Sequence, residues 1–430
     1  MKCKVHLQLL LTGNEIMSGV TVDTNSVRFA NALSQIGISI YRKVTIGDDL
    51  DLLIKEIRQQ SLESDVLIVN GGLGPTVDDL SAEALAKAFD LPLEKHQQAY
   101  QHLESWCARL KTPLSNANLK QCILPEGVEI LANPIGSAVG FSIVKNNCLI
   151  IFTPGVPSEL EAMLPLSILP IIKITFPDAQ TAFIDRMHFF GVGEARFQQK
   201  IDDEIRDWPK TVELSFRAGS PTVEIKLTTH SKEHENDKAF CKQKILNLFG
   251  DYFIGEEDET MASRLVRLLK INNKKITFAE SCTGGKMASL LTEVSGSSEV
   301  FEAGFVTYSN SIKSKIIGVN EKTLKTLGAV SEAVATEMLL GALEKSGANY
   351  GVAVSGIAGP NGGSTEKPVG TVCIAWGSKE KNQCTTLLMP RSRIQFQLMV
   401  AATGLDLIRR QLLNISNEPN YFGRFVVNKK

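Results

Sequence analysis

Short apolar runs, each followed by a glycine turn and then a helix-period stretch, recur along the first third of the chain. Asp65-Val66-Leu67-Ile68-Val69-Asn70 is one such run, Gly71-Gly72-Leu73-Gly74 its turn, and Ser81 to Phe89 the helical segment. Strand, turn and helix in that order predict a mostly parallel sheet covered on both faces. The opening residues to Thr12 predict a first strand, Cys148 to Phe152 a buried strand, and Ser158 the cap of a following helix. Between Phe183 and Phe253 the pattern changes to period-two alternation around short helices, clearest in Thr222 to Thr228, and Gly255 to Thr260 reads as a linker. A second α/β unit follows. Its predicted elements are a helix at Met261 to Lys270, strands at Lys275 to Ala279, Ala303 to Tyr308, Tyr350 to Ser355 and Gly370 to Trp376, and an amphipathic closing helix at Ile394 to Leu413. The expected fold class is α/β in three parts: residues 1–170, a small α+β connector over 171–258, and 259–415, with a frayed tail over 416–430.

Composition narrows the function classes. The 430 residues exceed what one core usually serves. A formal net charge of −1 without a Lys/Arg block supplies no electrostatic reason for nucleic acid or an anionic membrane as a partner. The most apolar stretch, Met163 to Phe176, is interrupted by Pro165, Pro170 and Lys173, too broken to span a bilayer. Eight cysteines lie scattered without CxxC pairs or zinc spacing, the pattern of reduced thiols in a cytoplasm.

Candidate chemistry concentrates in the last part. All six histidines lie at or before His234, so a nucleophile beyond that point needs a base other than imidazole. Lysine and tyrosine are the natural substitutes. Ser281 lies in Phe278-Ala279-Glu280-Ser281-Cys282-Thr283-Gly284-Gly285, between a predicted strand and a turn into a helix, where backbone N–H groups can serve an oxyanion or phosphate. Tyr308 and Lys313 follow in Val306 to Lys315. Each residue alone has an ordinary reading: Ser281 and Thr283 as helix caps, Tyr308 as a packed strand residue, Lys313 as a surface charge. Cys282 is a rival nucleophile, with a buried inert thiol as its alternative.

These residues belong to a larger pattern. The run Ala279 to Gly285, the Tyr308 to Lys313 spacing, Gly328-Ala329-Val330-Ser331, Ser355-Gly356-Ile357-Ala358-Gly359-Pro360 and Lys367-Pro368-Val369-Gly370-Thr371-Val372 together resemble the C-terminal domain of the CinA family. The resemblance implies a nicotinamide-nucleotide amidase that converts nicotinamide mononucleotide to nicotinate mononucleotide and ammonia without a cofactor. It makes Ser281 the nucleophile, activated by Lys313 or Tyr308, and points to Thr283, Gly284, Gly285, Gly356, Ala358, Gly359 and Arg393 for the substrate. Where the family usually has a second arginine near the last helix, this chain places Gln397.

The first part resembles the N-terminal domain of the same family, similar in fold to molybdopterin-binding proteins. The motifs are Thr12-Gly13-Asn14-Glu15-Ile16-Met17-Ser18-Gly19, Asp23-Thr24-Asn25, Asn70 to Asp79, Leu131 to Ala138 and Pro154 to Glu159. The resemblance implies a metal-dependent ADP-ribose pyrophosphatase site around Glu15, Asn25, Gly71, Gly72, Gly74 and Thr76, with a divalent metal at Asp78 and Asp79. Three positions depart from the family pattern: Asn14 replaces an aspartate, Val77 a proline and Ser81 a threonine. The expected protein is a cytoplasmic homodimer acting on small nucleotides. A molybdopterin-binding protein and a non-catalytic competence or DNA-damage partner are the alternatives.

Overall fold

In a computed structural model the structure describes residues 5–177 and 182–425. They divide into two compact units. One holds the residues up to Phe183 with Thr229–His234; the other holds Ile184–Thr228 with Glu235 onward. The middle segment therefore shares a unit with the C-terminal domain.

The first unit is built on strands β1 (Leu7–Thr12), β2 (Ile40–Ile46) and β3 (Val66–Asn70), with a small pair β4 (Leu93–Lys95) and β5 (Ile123–Pro125) set apart. Strands β6 (Glu129–Leu131), β7 (Gly140–Lys145) and β8 (Cys148–Thr153) complete a six-stranded sheet in the order β2-β1-β3-β8-β7-β6. Strands β2, β1, β3 and β8 run parallel, whereas β7 and β6 are antiparallel. Alternation along β1 explains why both faces are covered. Leu7, Leu9 and Leu11 enter one hydrophobic cluster and Leu10 the other. The helix expected to be capped by Ser158 starts two residues earlier than that cap would place it, at Pro157, with Val156 before it and no side-chain cap. Proline's fixed φ suits the first helical position and replaces the capping signal. The last helix of this unit, Leu169–Thr175, continues past the expected boundary at residue 170.

The second unit begins with β9 (Phe183–Phe190), β10 (Glu213–Ala218), β11 (Thr222–Thr229) and β12 (Phe253–Glu256), a sheet in the order β10-β11-β9-β12 with helices Glu194–Glu204 and Glu235–Phe249. Its larger sheet comprises β13 (Ile276–Glu280), β14 (Phe301–Val306), β15 (Tyr350–Gly356), β16 (Thr371–Gly377) and β17 (Asn382–Leu388), ordered β14-β13-β15-β16-β17. Strand β13 is parallel to both β14 and β15, and the last two strands are antiparallel. Helices Met261–Ile271 and Arg393–Leu412 contribute to one core cluster and Glu332–Ser346 to another.

The expected frayed tail is corrected. Asn420–Phe425 is helical, with Tyr421 and Phe422 buried; residues 426–430 lie outside the described residues. The Tyr421 hydroxyl donates to Asp406 Oδ2 at 2.8 Å, and Asp406 Oδ1 accepts from Arg409 Nε at 2.7 Å. Arg409, fully buried, also donates to the carbonyls of Phe253 (3.0 Å) and Asp251 (2.6 Å) in the middle segment. A short polar stretch carrying three aromatics shows no periodicity, so only the tertiary contact reveals the anchor. No helix among the described residues is long and apolar enough to cross a membrane. Tyr421→Phe removes a buried hydrogen bond to a charged group, so denaturant unfolding is expected to show a loss of about 1.5–3 kcal/mol in the stability of this unit; an unchanged midpoint would mean that this hydrogen bond contributes nothing.

Candidate active site

Parallel pairing of β13 with both neighbours brings the loops that follow β13, β14 and β15 to one edge, at the point where the strand order reverses. Ser281 leaves the end of β13. Thr307 and Tyr308 leave β14 and enter the Asn310–Ile317 helix, which Ser309 caps by accepting from the N–H of Ile312. Gly356 to Gly363 leaves β15.

Lys313, only 1 % exposed, is not the surface charge its sequence context allowed. Its Nζ lies 3.0 Å from Ser281 Oγ and donates to the carbonyls of Thr307 (2.9 Å) and Tyr308 (3.2 Å). Burial penalises the ammonium and holds this lysine below its ordinary value of 10.5. A neutral amine has two N–H donors and one lone pair. As an ammonium, Nζ donates to all three oxygens; once deprotonated, it keeps two donors for the carbonyls and a lone pair for the hydroxyl of Ser281.

Tyr308 separates from this pair. Its side chain is 64 % exposed, and its hydroxyl accepts from Arg393 Nη2 at 3.2 Å, while only its backbone carbonyl touches Lys313. The other arm of Arg393 donates to the carbonyl of Gly359 at 2.7 Å, joining the tyrosine to the glycine-rich loop of Gly356, Ala358 and Gly359. Cys282, buried beside the serine, has its thiol pushed up to about 12, chiefly by burial. That is an inert thiol. Gln397, in the position of the expected second arginine, donates to the carbonyl of Cys282 at 3.0 Å.

The turn after Ser281 departs from expectation. Glu280, fully buried, accepts from Thr283 Oγ1 (2.7 Å) and from the N–H groups of Gly285 (3.0 Å), Met287 (3.1 Å) and Ala288 (2.9 Å). The Thr283 hydroxyl is therefore not open to substrate, and the helix start is not an open phosphate cradle. The uncommitted N–H groups in the turn, among the described residues, are those of Cys282 and Thr283. Gly284 and Gly285 stand at φ 63° and 98°, left-handed conformations that favour glycine. Glu280 was not singled out from the sequence, and Gln397 only as the replacement of an arginine. An acid on the last residue of a strand, just before a turn into a helix, was the available signal for the first.

The N-terminal candidate residues line a cleft of about 530 Å³ at the carboxyl ends of β1, β3 and β8. Glu15, Asn25, Gly71, Gly72, Gly74, Asp78 and Asp79 form part of its wall; Thr76 does not. Thr76 instead turns back on its own loop, its hydroxyl donating to Asp78 and, at 2.6 Å, to Asp79. That hydroxyl holds the Asp78 carboxyl below its ordinary value. Gly71 stands at φ 114°, and a Cβ there would meet the Thr12 carbonyl at 2.6 Å. Asn25 Nδ2 donates to Asn70 Oδ1 and to the carbonyl of Gly155, tying three loops together. The cleft wall also carries Asp23, Asp48 and Glu159, which sequence reasoning did not name as site residues, and no lysine or arginine. Burial raises the Glu159 carboxyl against a 2.8 Å hydrogen bond from Asn133.

Among the described residues, no group of three or more His, Cys, Asp or Glu is placed to hold a metal ion. Thr76 engages one oxygen of Asp79 and one of Asp78. The three departures have local explanations. Asn14 is not on the cleft wall; its amide oxygen accepts from the N–H of Asp48, whose carboxylate accepts from the N–H of Asn14. Ser81 supplies a hydroxyl to the carbonyl of Gly71 at 2.7 Å, and Val77 is exposed.

The fold and sites define a mixed α/β protein in which a molybdopterin-binding-type sheet precedes a domain that presents a serine at a strand–turn–helix edge. Residues 8–174 match the family described as "Probable molybdopterin binding domain", and residues 258–412 match "CinA C-terminal domain". The chain is 49% identical over 418 residues to a CinA-like protein of Colwellia psychrerythraea, covering 96% of this chain and 97% of that one. It is 39% identical over 424 residues to a CinA-like protein of Shewanella woodyi, covering 98% and 100%. The chain belongs to the CinA-like family. Among solved structures it is similar to the competence/damage inducible protein CihA from Agrobacterium tumefaciens, with 41% identity over 36% of this chain and 93% of that chain and a TM-score of 0.35.

Proposed function

We propose that the C-terminal domain hydrolyses the carboxamide of nicotinamide mononucleotide, with Ser281 as nucleophile and Lys313 as the base. The observation that carries this reading is the buried amine of Lys313, engaged by two carbonyls and by Ser281 Oγ at 3.0 Å. Ser281 Oγ attacks the carboxamide carbon while its proton passes to Lys313. Collapse of the tetrahedral intermediate breaks the C–N bond, Lys313 returns the proton to nitrogen, and ammonia leaves. Water then cleaves the acyl-serine, releasing the acid. The N–H groups of Cys282 and Thr283 suit the oxyanion, and Arg393 with its Tyr308 and Gly359 partners suits the phosphate end. Tyr308 thus belongs with substrate positioning, and Lys313 with proton transfer. Such an enzyme would act as a cytoplasmic homodimer in the recycling of pyridine nucleotides.

Ser281→Ala is expected to abolish ammonia release from nicotinamide mononucleotide and Lys313→Met to remove most of it without unfolding. Cys282→Ala and a chelator are expected to leave substantial activity. Chelator-sensitive release, or release that survives in Ser281→Ala, would overturn the reading. Because only the neutral amine accepts the serine proton, kcat/KM is expected to fall as pH drops through the lowered Lys313 value and to be restored above it. A kcat/KM that shows no fall toward acid anywhere below pH 10.5 would remove Lys313 from the role of base.

A second reading concerns the N-terminal cleft. Its wall carries six carboxylates, from Glu15, Asp23, Asp48, Asp78, Asp79 and Glu159, and no cationic side chain. A diphosphate entering such a field needs its own counter-charge, so ADP-ribose is proposed to bind as its magnesium complex. Calorimetry is expected to give binding of ADP-ribose with magnesium and none without; preferential binding of molybdopterin would favour the pterin alternative.

A further inference from the structure

Glu280 is fully buried at the last position of β13, directly before the proposed nucleophile. Its two oxygens act only as acceptors, for one hydroxyl and three backbone N–H groups spread over Thr283 to Ala288. The backbone of the same residue is held in the sheet, where its carbonyl accepts from the N–H of Thr307 at 2.9 Å and the adjoining N–H of Ser281 donates to Val354. The side chain thus closes a ring from the strand end to the first turn of the following helix, and Ser281 lies inside that ring. Opposite it, Gln397 holds the carbonyl of Cys282.

We propose that Glu280 is a positioning residue for Ser281, its carboxylate clamping the Ser281–Ala288 turn so that Oγ stays within reach of the Lys313 amine. The kinetic consequence rests on the amidase reading above; the clamp itself does not. Three N–H groups that would otherwise form an anion site are spent on an internal carboxylate. The turn is thereby denied to the substrate's phosphate and left to orient the reacting oxygen alone. A loosened turn displaces Oγ without touching the groups that hold the rest of the substrate, so the loss falls on kcat. Displacements of about an ångström at a reacting atom cost on the order of 10²-fold in rate.

The test is Glu280→Gln, which keeps the size of the side chain but turns an amide NH2 toward backbone donors. Two quantities are read on the full chain: kcat and KM for ammonia release from nicotinamide mononucleotide, and alkylation of Cys282 by N-ethylmaleimide, located by peptide mass mapping. Cys282 resists labelling in the unaltered protein because it is buried with a raised thiol. In Glu280→Gln, kcat is expected to fall about 10²-fold with KM within about twofold, and Cys282 to become labelled. Thr283→Val, which removes one of the four donors, is expected to move both readouts in the same direction by less. Wild-type kcat with Cys282 still protected, or a loss confined to KM, overturns the proposal. If Glu280→Gln does not fold, Thr283→Val decides by the same criteria. If unaltered protein releases no ammonia, the amidase reading fails, and the labelling of Cys282 alone decides whether the clamp exists.

Discussion

Parallel pairing of β13 with the strands on either side is the constraint from which the C-terminal site follows. Parallel neighbours all end at the same edge, so residues far apart in the chain, Ser281, Lys313 and Gly359, leave the sheet together. The first sheet repeats the arrangement around β1, which is parallel to both β2 and β3 and has a cleft at the carboxyl ends. The two edges share topology but differ in charge. One buries a lysine amine against carbonyl oxygens; the other gathers six carboxylates around open space.

A lysine placed among carbonyls would ordinarily be an ammonium donating to all of them. Withdrawal from water tilts the balance toward the neutral amine, and the third contact, with Ser281, becomes the direction in which a proton can move. Glu280 contributes at close range to the same turn while spending its charge on backbone N–H groups rather than on the lysine. The site thereby contains a carboxylate that holds the turn and an amine that faces the serine.

Much of this was readable from the residues. The strand preceding Ser281, the helix near Met261 and the closing helix near Ile394 follow from apolar periodicity, because their patterns match their packing. The burial of Lys313 was not readable. Its one-turn context of polar and apolar neighbours fits a surface or a core equally well, and only the register of Ile317 and Lys313 on one helix face decides it. Tyr308 was grouped with Lys313 by spacing, yet the chain enters its helix at Ser309 and turns the phenol outward to Arg393. Strand β17 carries few apolar residues and forms as a partner of β16, so its existence depends on a tertiary neighbour rather than on its own pattern.

The buried cluster of Asp406, Arg409 and Tyr421 bears on modularity. Arg409 is fully buried and takes acceptors from the helix that carries it and from the backbone of the middle segment at Asp251 and Phe253. A cut at the apparent linker before Thr260 would strip a buried guanidinium of two acceptors, and a cut before Tyr421 would strip the carboxylate beside it of its hydroxyl donor. In this chain the C-terminal domain is therefore not a detachable cassette. A shorter protein with the same five motifs but no middle segment would open this position to solvent, so in this chain one interior arginine joins the domain to its companion.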